Sequence, residues 1–189
     1  MPQTLNIFLD LDGVLWPDSG AGAILDPKNQ AIGVKNLEFL SGYFQKPKIY
    51  IVSNQTFAAR GQIEYEVFQN SVDETLNFLI NQGLLTDYRI CYHHPNAFNA
   101  KLRQVCFCRK PSPGMILDLI KKHKINALLA LFIGDRITDV VSAQLAGIRR
   151  NYLIYNSKML EFNDHIINLP KSIYFTAINK FEDIELEIS

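Results

Sequence analysis

The sequence predicts an α/β protein, a Rossmann-like three-layer sandwich with a parallel central sheet between layers of helix. Two observations carry this. Short apolar runs alternate along the chain with longer stretches at helical spacing, which implies a parallel sheet covered on both faces. Chemistry-bearing residues, Asp10, Ser53 and Asp135, stand at the C-terminal ends of three of those runs. That is the edge at which open α/β sheets bind ligands. The 189 residues fit one domain, residues 1–189, large enough for a real core.

The elements follow in order. Leu5–Leu9 is the first strand, and a loop from Trp16 to Lys28 leads to a helix near Gln30–Gly42. Strand Ile49–Ser53 passes through Thr56–Gly61 into a long helix near Gln62–Asn81, where Ile63, Val67, Leu76, Leu79 and Ile80 fall at helical spacing. Gly83 ends it. A short strand, Tyr88–Tyr92, follows. Ser112-Pro113 reads as N-cap and first residue of a helix to about His123. Strand Leu128–Ile133 gives way to a helix over Asp139–Ala146, stopped by Gly147. Asn151–Tyr155 is a further strand, Ile173–Phe175 a last short one, and the stretch from Ala177 is expected to be a peripheral helix.

Bulk properties exclude several classes. Apolar content of 48% with 20% charged residues is globular, not disordered. Nineteen basic and nineteen acidic residues cancel, which argues against a general nucleic-acid or membrane binder. Met1–Thr4 carries no basic n-region, and no run approaches the roughly 18 apolar residues of a membrane span. A cytoplasmic protein is expected, with a monomer as the default.

The run Phe8-Leu9-Asp10-Leu11-Asp12-Gly13-Val14-Leu15 is the most informative stretch. Side chains two apart on a strand point the same way. Two carboxylates delivered together at a strand end repel unless a cation lies between them. A hard divalent ion with oxygen ligands, such as Mg²⁺, suits that site. A calcium loop is excluded, because Val14, Leu15 and Trp16 follow where oxygen ligands are needed.

All three cysteines, Cys91, Cys106 and Cys108, lie in one segment with His93 and His94. C-x-H followed by C-x-C offers three thiolates and one imidazole, a complete tetrahedral set for Zn²⁺. Four protein ligands leave no open position, so the zinc is expected to be structural, pinning the loop between residues 91 and 108. Either His93 or His94 can supply the nitrogen. A disulfide is disfavoured in the cytoplasm.

Three further runs join the first: Lys48-Ile49-Tyr50-Ile51-Val52-Ser53-Asn54, Arg109-Lys110-Pro111-Ser112-Pro113-Gly114, and the strand ending in Gly134-Asp135-Arg136-Ile137-Thr138-Asp139. Strand-DxD, strand-Ser, Lys before a helix and strand-GDxxxD, in that order, resemble the haloacid dehalogenase (HAD) superfamily of phosphotransferases. With the cysteine spacing, C-x-C-R-K-P and V-S-N-Q … A-R-G, the chain is similar to D-glycero-D-manno-heptose 1,7-bisphosphate phosphatases and to histidinol-phosphate phosphatases. The resemblance covers roughly Ile7 to Gly147. Leu11 stands where those enzymes usually have arginine, and the loop Trp16–Gly22 departs from their pattern. The intervals after the first and second motifs are too short for a large cap domain, so a capless member is expected.

The resemblance implies a covalent, metal-assisted phosphate ester hydrolysis. Asp10 would be the nucleophile and form an aspartyl-phosphate. Asp12 would protonate the leaving oxygen and then activate water. Mg²⁺ would be held by Asp10 and Asp135 and by the main-chain carbonyl of Asp12. Ser53 and Asn54 would hydrogen-bond the phosphoryl oxygens, and Lys110 would neutralise their growing charge. Asp139 would orient Lys110 or a metal-bound water; alone it reads as a helix N-terminal carboxylate. Arg109, planar and bidentate, would read a second anion on the substrate, with Arg60 a second candidate. Trp16 either walls the pocket or fills the core. The expected partner is a small phosphorylated metabolite. A DNA 3′-phosphatase is disfavoured by zero net charge, and a non-catalytic zinc-stabilised binding module by the intact Asp10, Asp12, Lys110 and Asp135.

Overall fold

The computed structural model describes residues 4–18, 22–154 and 172–184. Six parallel strands form one sheet: β1 (Asn6–Leu9), β2 (Lys48–Asn54), β3 (Asp87–Cys91), β4 (Leu131–Gly134), β5 (Arg150–Ile154) and β6 (Thr176–Ile178), in the order β3-β2-β1-β4-β5-β6. Helices α1 (Pro27–Tyr43), α2 (Tyr65–Asn81), α3 (Gly114–His123) and α4 (Ile137–Leu145) connect them. The order reverses at β1, which lies between β2 and β4. Such a reversal opens a crevice at the carboxyl ends of the strands.

Strand alternation decides which helix covers which face. Ile7, Leu9, Ile49, Ile51, Leu131 and Ile133 share a core with Leu37 and Leu40 of α1 and Phe68, Val72 and Leu76 of α2. The intervening Phe8, Tyr50, Val52 and Phe132 pack with Met115, Ile116 and Leu119 of α3 and with Ala143 of α4. Burying each large apolar side chain contributes about 2 kcal/mol. Strands apolar on both faces can exist only with helices on both sides.

Helix ends differ from the sequence expectation where local capping chemistry acts. α1 starts at Pro27 because the Asp26 side chain accepts from the Lys28 N–H at 2.9 Å and Pro27 occupies the first turn. α3 starts at Gly114 without a side-chain cap, and Ser112 instead closes a turn from its N–H to the Arg109 carbonyl. β4 starts at Leu131, since Ala127–Leu129 forms a 3₁₀ turn capped by Asn126. Gly83 and Gly147 follow the ends of α2 and α4 with positive φ.

One expectation is corrected. The last strand is not Ile173–Phe175 but Thr176–Ile178, and Ala177 lies within it rather than opening a helix. Ala177 pairs with Leu153 on the open edge of β5, and a 3₁₀ turn, Phe181–Asp183, follows. Pairing with a sheet edge and burial of Ile178, Phe181 and Ile184 outweigh the local helical tendency. Tyr155, the residues beyond 184 and part of the Trp16–Gly22 loop lie outside the described residues.

Candidate active site and metal centre

The crevice beside β1 gathers the motifs. Asp10 follows β1 directly, and its N–H donates to the Ile133 carbonyl of β4 at 3.1 Å. Asp135 follows β4, and Lys110 arrives from the turn before α3. The Lys110 side chain is buried, and its Nζ lies 2.8 Å from Asp10 Oδ1, 2.6 Å from Asp139 Oδ1 and 2.9 Å from the Val52 carbonyl. All three ammonium protons are thereby engaged. Burial alone would lower the lysine pKa, but the Asp10 and Asp139 carboxylates carry it upward, so the cation persists.

Asp10, Asp135 and Asp139 bring carboxylate oxygens within 4.8 Å of one another. Lys110 balances one of the three charges. Asp139 has no oxygen to spare: Oδ1 is on Lys110, and Oδ2 accepts from the Asp135 and Arg136 N–H groups at 3.2 and 3.0 Å. Asp135 Oδ1 is buried without a hydrogen-bond partner, and Arg136 Nε approaches only to 3.9 Å. Burial and then the Asp10 and Asp139 charges push the Asp135 carboxyl up to about 8. An orphaned buried carboxylate oxygen beside a second acid is the signature of a cation site, so these residues fit Mg²⁺. Gly13 makes the approach feasible: its φ is +80°, and a Cβ there would lie 2.2 Å from Asp135 Oδ2.

Asp12 stands outside that carboxylate trio. Its Oδ1 accepts from Trp16 Nε1 at 2.8 Å and its Oδ2 from Gln55 Nε2 at 2.8 Å. Burial, Asp10 and Asp18 raise its pKa; the hydrogen bonds from Trp16 and Gln55 oppose them, and the net direction is upward. A raised carboxyl pKa suits a proton donor. Trp16 is itself buried. It therefore fills core with its ring while its N–H caps Asp12. Gln55, which sequence reasoning passed over, donates from the same amide to Ser53 Oγ at 3.1 Å. Its signal was its place directly after Ser53-Asn54 at the end of β2.

Asn54 departs from its sequence expectation. Its amide donates to the Lys110 carbonyl and accepts from the Lys110 N–H, both at 3.1 Å. Both ends of the side chain clamp the lysine main chain, so the amide faces Lys110 rather than the crevice. Ser53 is buried at the end of β2.

A second cluster lies beside the first. Cys91, His93, Cys106 and Cys108 place their ligand atoms within 4.8 Å of one another and could hold a metal ion. Sγ–Sγ separations are 3.6 Å (Cys91–Cys106), 3.3 Å (Cys91–Cys108) and 2.9 Å (Cys106–Cys108). His93 Nδ1 is 3.3 Å from Cys108 Sγ and 3.9 Å from Cys91 Sγ. Tetrahedral Zn–S bonds of about 2.3 Å put sulfurs about 3.8 Å apart, whereas a disulfide needs about 2.05 Å. Among the two histidines the structure brings His93 to the sulfurs; His94 Nδ1 instead accepts from the Asn96 N–H at 3.1 Å.

Arg109 is half-buried and donates to the His93 carbonyl at 3.1 Å, which ties it to the cysteine cluster. Arg60 is exposed at the end of a 3₁₀ turn. Burial, Arg109 and Arg60, in that order, lower the His94 pKa, which places both guanidinium groups in electrostatic range of that imidazole.

The HAD-hydrolase-like family matches residues 107–153, the span from Phe107 through Lys110 and Asp135 to β5. A D-glycero-alpha-D-manno-heptose-1,7-bisphosphate 7-phosphatase of Photorhabdus laumondii is 35% identical over 152 residues, covering 78% of this chain and 80% of that protein. The chain belongs to the heptose-1,7-bisphosphate 7-phosphatase family. A D-glycero-beta-D-manno-heptose-1,7-bisphosphate 7-phosphatase of Rhodopseudomonas palustris is 33% identical over 152 residues, 78% of this chain and 82% of that one. In fold, this family member is similar to a D,D-heptose 1,7-bisphosphate phosphatase from B. bronchiseptica complexed with magnesium and phosphate. The TM-score is 0.65 at 22% identity, over 94% of this chain and 93% of that chain. It is thus a HAD-type phosphatase. Among its described residues no helix is long and apolar enough to cross a membrane.

Proposed function

We propose that the protein is a Mg²⁺-dependent phosphatase that removes the 7-phosphate of D-glycero-D-manno-heptose 1,7-bisphosphate through an aspartyl-phosphate on Asp10. The carrying observation is the single buried cluster of Asp10, Asp135 and Lys110, with Lys110 Nζ 2.8 Å from Asp10. The substrate assignment is supported by relatives of that name at 33–35% identity across 78% of the chain.

In the first step an Asp10 oxygen forms a bond to phosphorus as the ester P–O bond breaks, and the Asp12 carboxyl gives its proton to the departing oxygen. In the second, water attacks phosphorus, the Asp10–phosphorus bond breaks, and the ionised Asp12 takes the water proton. Lys110 orients Asp10 and faces the phosphoryl charge as it grows. Asp10 and Asp135, with the Asp12 main-chain carbonyl, would hold Mg²⁺, which supplies neutralisation of phosphate charge and polarisation of its P–O bonds when bound. Ser53 would donate to a phosphoryl oxygen. Arg109, and less directly Arg60, would read the second phosphate. Zn²⁺ on Cys91, His93, Cys106 and Cys108 would fix the segment that delivers Arg109 and Lys110.

Turnover of the heptose bisphosphate, histidinol phosphate and p-nitrophenyl phosphate, each with and without Mg²⁺, tests this reading. The heptose ester should have the highest kcat/KM, all turnover should need Mg²⁺, and Asp10→Asn should abolish it in a folded protein. Preference for histidinol phosphate would move the assignment to that branch. Absence of any turnover would make the chain a binding module.

A further inference from the structure

The geometry points to Trp16 and Gln55 as positioning residues that fix the orientation of the Asp12 carboxyl for its proton transfer to the leaving group. This rests on the acid role of Asp12 proposed above. Each Asp12 oxygen accepts one hydrogen bond at 2.8 Å, Oδ1 from the indole Nε1 and Oδ2 from the Gln55 amide. An indole N–H is a donor only, and an amide NH₂ likewise offers only protons. Neither can share an edge with the proton of a carboxylic acid. The Asp12 proton must therefore occupy a lone pair that Trp16 and Gln55 leave open. Two donors on two oxygens also fix rotation about the Cβ–Cγ bond, a broad torsion in a free aspartate.

Both donors are themselves immobilised. Trp16 is 2% exposed and Gln55 3% exposed. The turn that bends Trp16 back onto Asp12 is tied by Leu15 N–H to the Leu11 carbonyl and Gly13 N–H to the Trp16 carbonyl, both at 2.8 Å. Asn36 of α1 donates to the Leu15 carbonyl at 2.7 Å. The indole lies over Gly33 of α1, where a Cβ would sit 2.8 Å from a ring carbon. Gln55 donates its main-chain N–H to the Cys91 carbonyl at 2.8 Å, and its amide NH₂ also reaches Ser53. The carboxyl is thus gripped from α1 on one side and from the β2–β3 edge on the other. This grip was not apparent in the sequence, where Trp16 read as a pocket wall or core filler and its loop marked a departure from the family pattern.

A leaving-group series reads the role. The Mg²⁺-loaded enzyme is assayed on p-nitrophenyl and phenyl phosphate, whose leaving groups differ in how much they need a proton. kcat/KM reports the first step alone, in which Asp12 acts as acid. Trp16→Phe and Gln55→Met, which keep bulk but lose the donor, should each cut kcat/KM for phenyl phosphate about tenfold more than for p-nitrophenyl phosphate. Asp12→Asn should show the same selectivity, more steeply. Equal losses on both esters in both donor variants, with Asp12→Asn still selective, would overturn the positioning role and leave the acid assignment standing. Equal losses in Asp12→Asn would overturn the acid assignment and this inference with it. Melting curves on each variant separate a lost fold from a lost proton.

Discussion

Lys110 Nζ lies 2.6 Å from Asp139 Oδ1, and the other Asp139 oxygen accepts from the main-chain N–H groups of Asp135 and Arg136. One carboxylate therefore anchors both the lysine and the turn that presents Asp135. The two sequence readings of Asp139, helix N-terminal acid and partner of Lys110, describe two oxygens of the same side chain.

Asp139→Asn should accordingly damage stability and activity together. A buried ammonium would keep only Asp10 as its counter-charge. Unfolding by urea should show a loss of about 3 kcal/mol, since breaking a buried ion pair strands a charge. kcat/KM should fall on the order of a hundredfold as Lys110 is released from its place beside Asp10. Unchanged stability and turnover would show that Asp139 is dispensable to both.

The cysteine cluster should hold about one Zn²⁺ per chain in protein prepared without chelators. Burial and contact with Cys108 push the Cys91 thiol pKa up in the metal-free state, so loading should release protons. Cys106→Ser should lower the zinc content, the melting temperature and kcat, because the loop leading to Lys110 loosens. His94→Ala should leave zinc content intact, whereas His93→Ala should reduce it. Freely reactive thiols and no bound metal in fresh protein would remove the site.

Arg109→Lys should raise KM for the heptose bisphosphate more than for a monophosphate that lacks the second anion. A lysine ammonium cannot reproduce the planar two-point contact of a guanidinium. An equal effect on both substrates would assign Arg109 to general electrostatics around the transferred phosphoryl group.

At the opposite end of the sheet, Asp87 sits 2.7 Å from Lys122, 2.7 Å from His123 and 3.2 Å from Arg89. Burial raises its pKa, but the hydrogen bonds from Lys122, His123 and the Tyr88 N–H, with the Arg89 charge, hold it down at about 2. A carboxylate whose folded pKa lies below its unfolded value of about 3.9 stabilises the fold above that value and loses the contribution as pH falls through the folded pKa. Asp87→Asn should therefore cost about 1 kcal/mol at pH 7, less than full linkage because solvent screens the ion pairs. The gap between wild type and variant should close between pH 4 and 2 in acid titrations followed by circular dichroism. A gap that persists at pH 2 would place the effect in packing instead.

What the sequence by itself determined is the order and kind of the elements and the inventory of the site. Hydrophobic period, Gly83 and Gly147, the Asp10-x-Asp12 pair, Lys110 before a helix and the spacing of Cys91, Cys106 and Cys108 all act over a few residues, and a few residues are what a sequence shows directly. Tertiary structure alone decided how that inventory is used. Asn54 meets Lys110 across 56 positions of chain, and Gln55 meets Asp12 across 43. Which face of an amide or an indole is occupied depends on where β2, α1 and the Lys110 turn come to rest together, a packing outcome no local pattern encodes. The same holds for β6: Ala177 becomes strand because the open edge of β5 offers it hydrogen bonds and a hydrophobic seat, and that edge exists only once the sheet has formed.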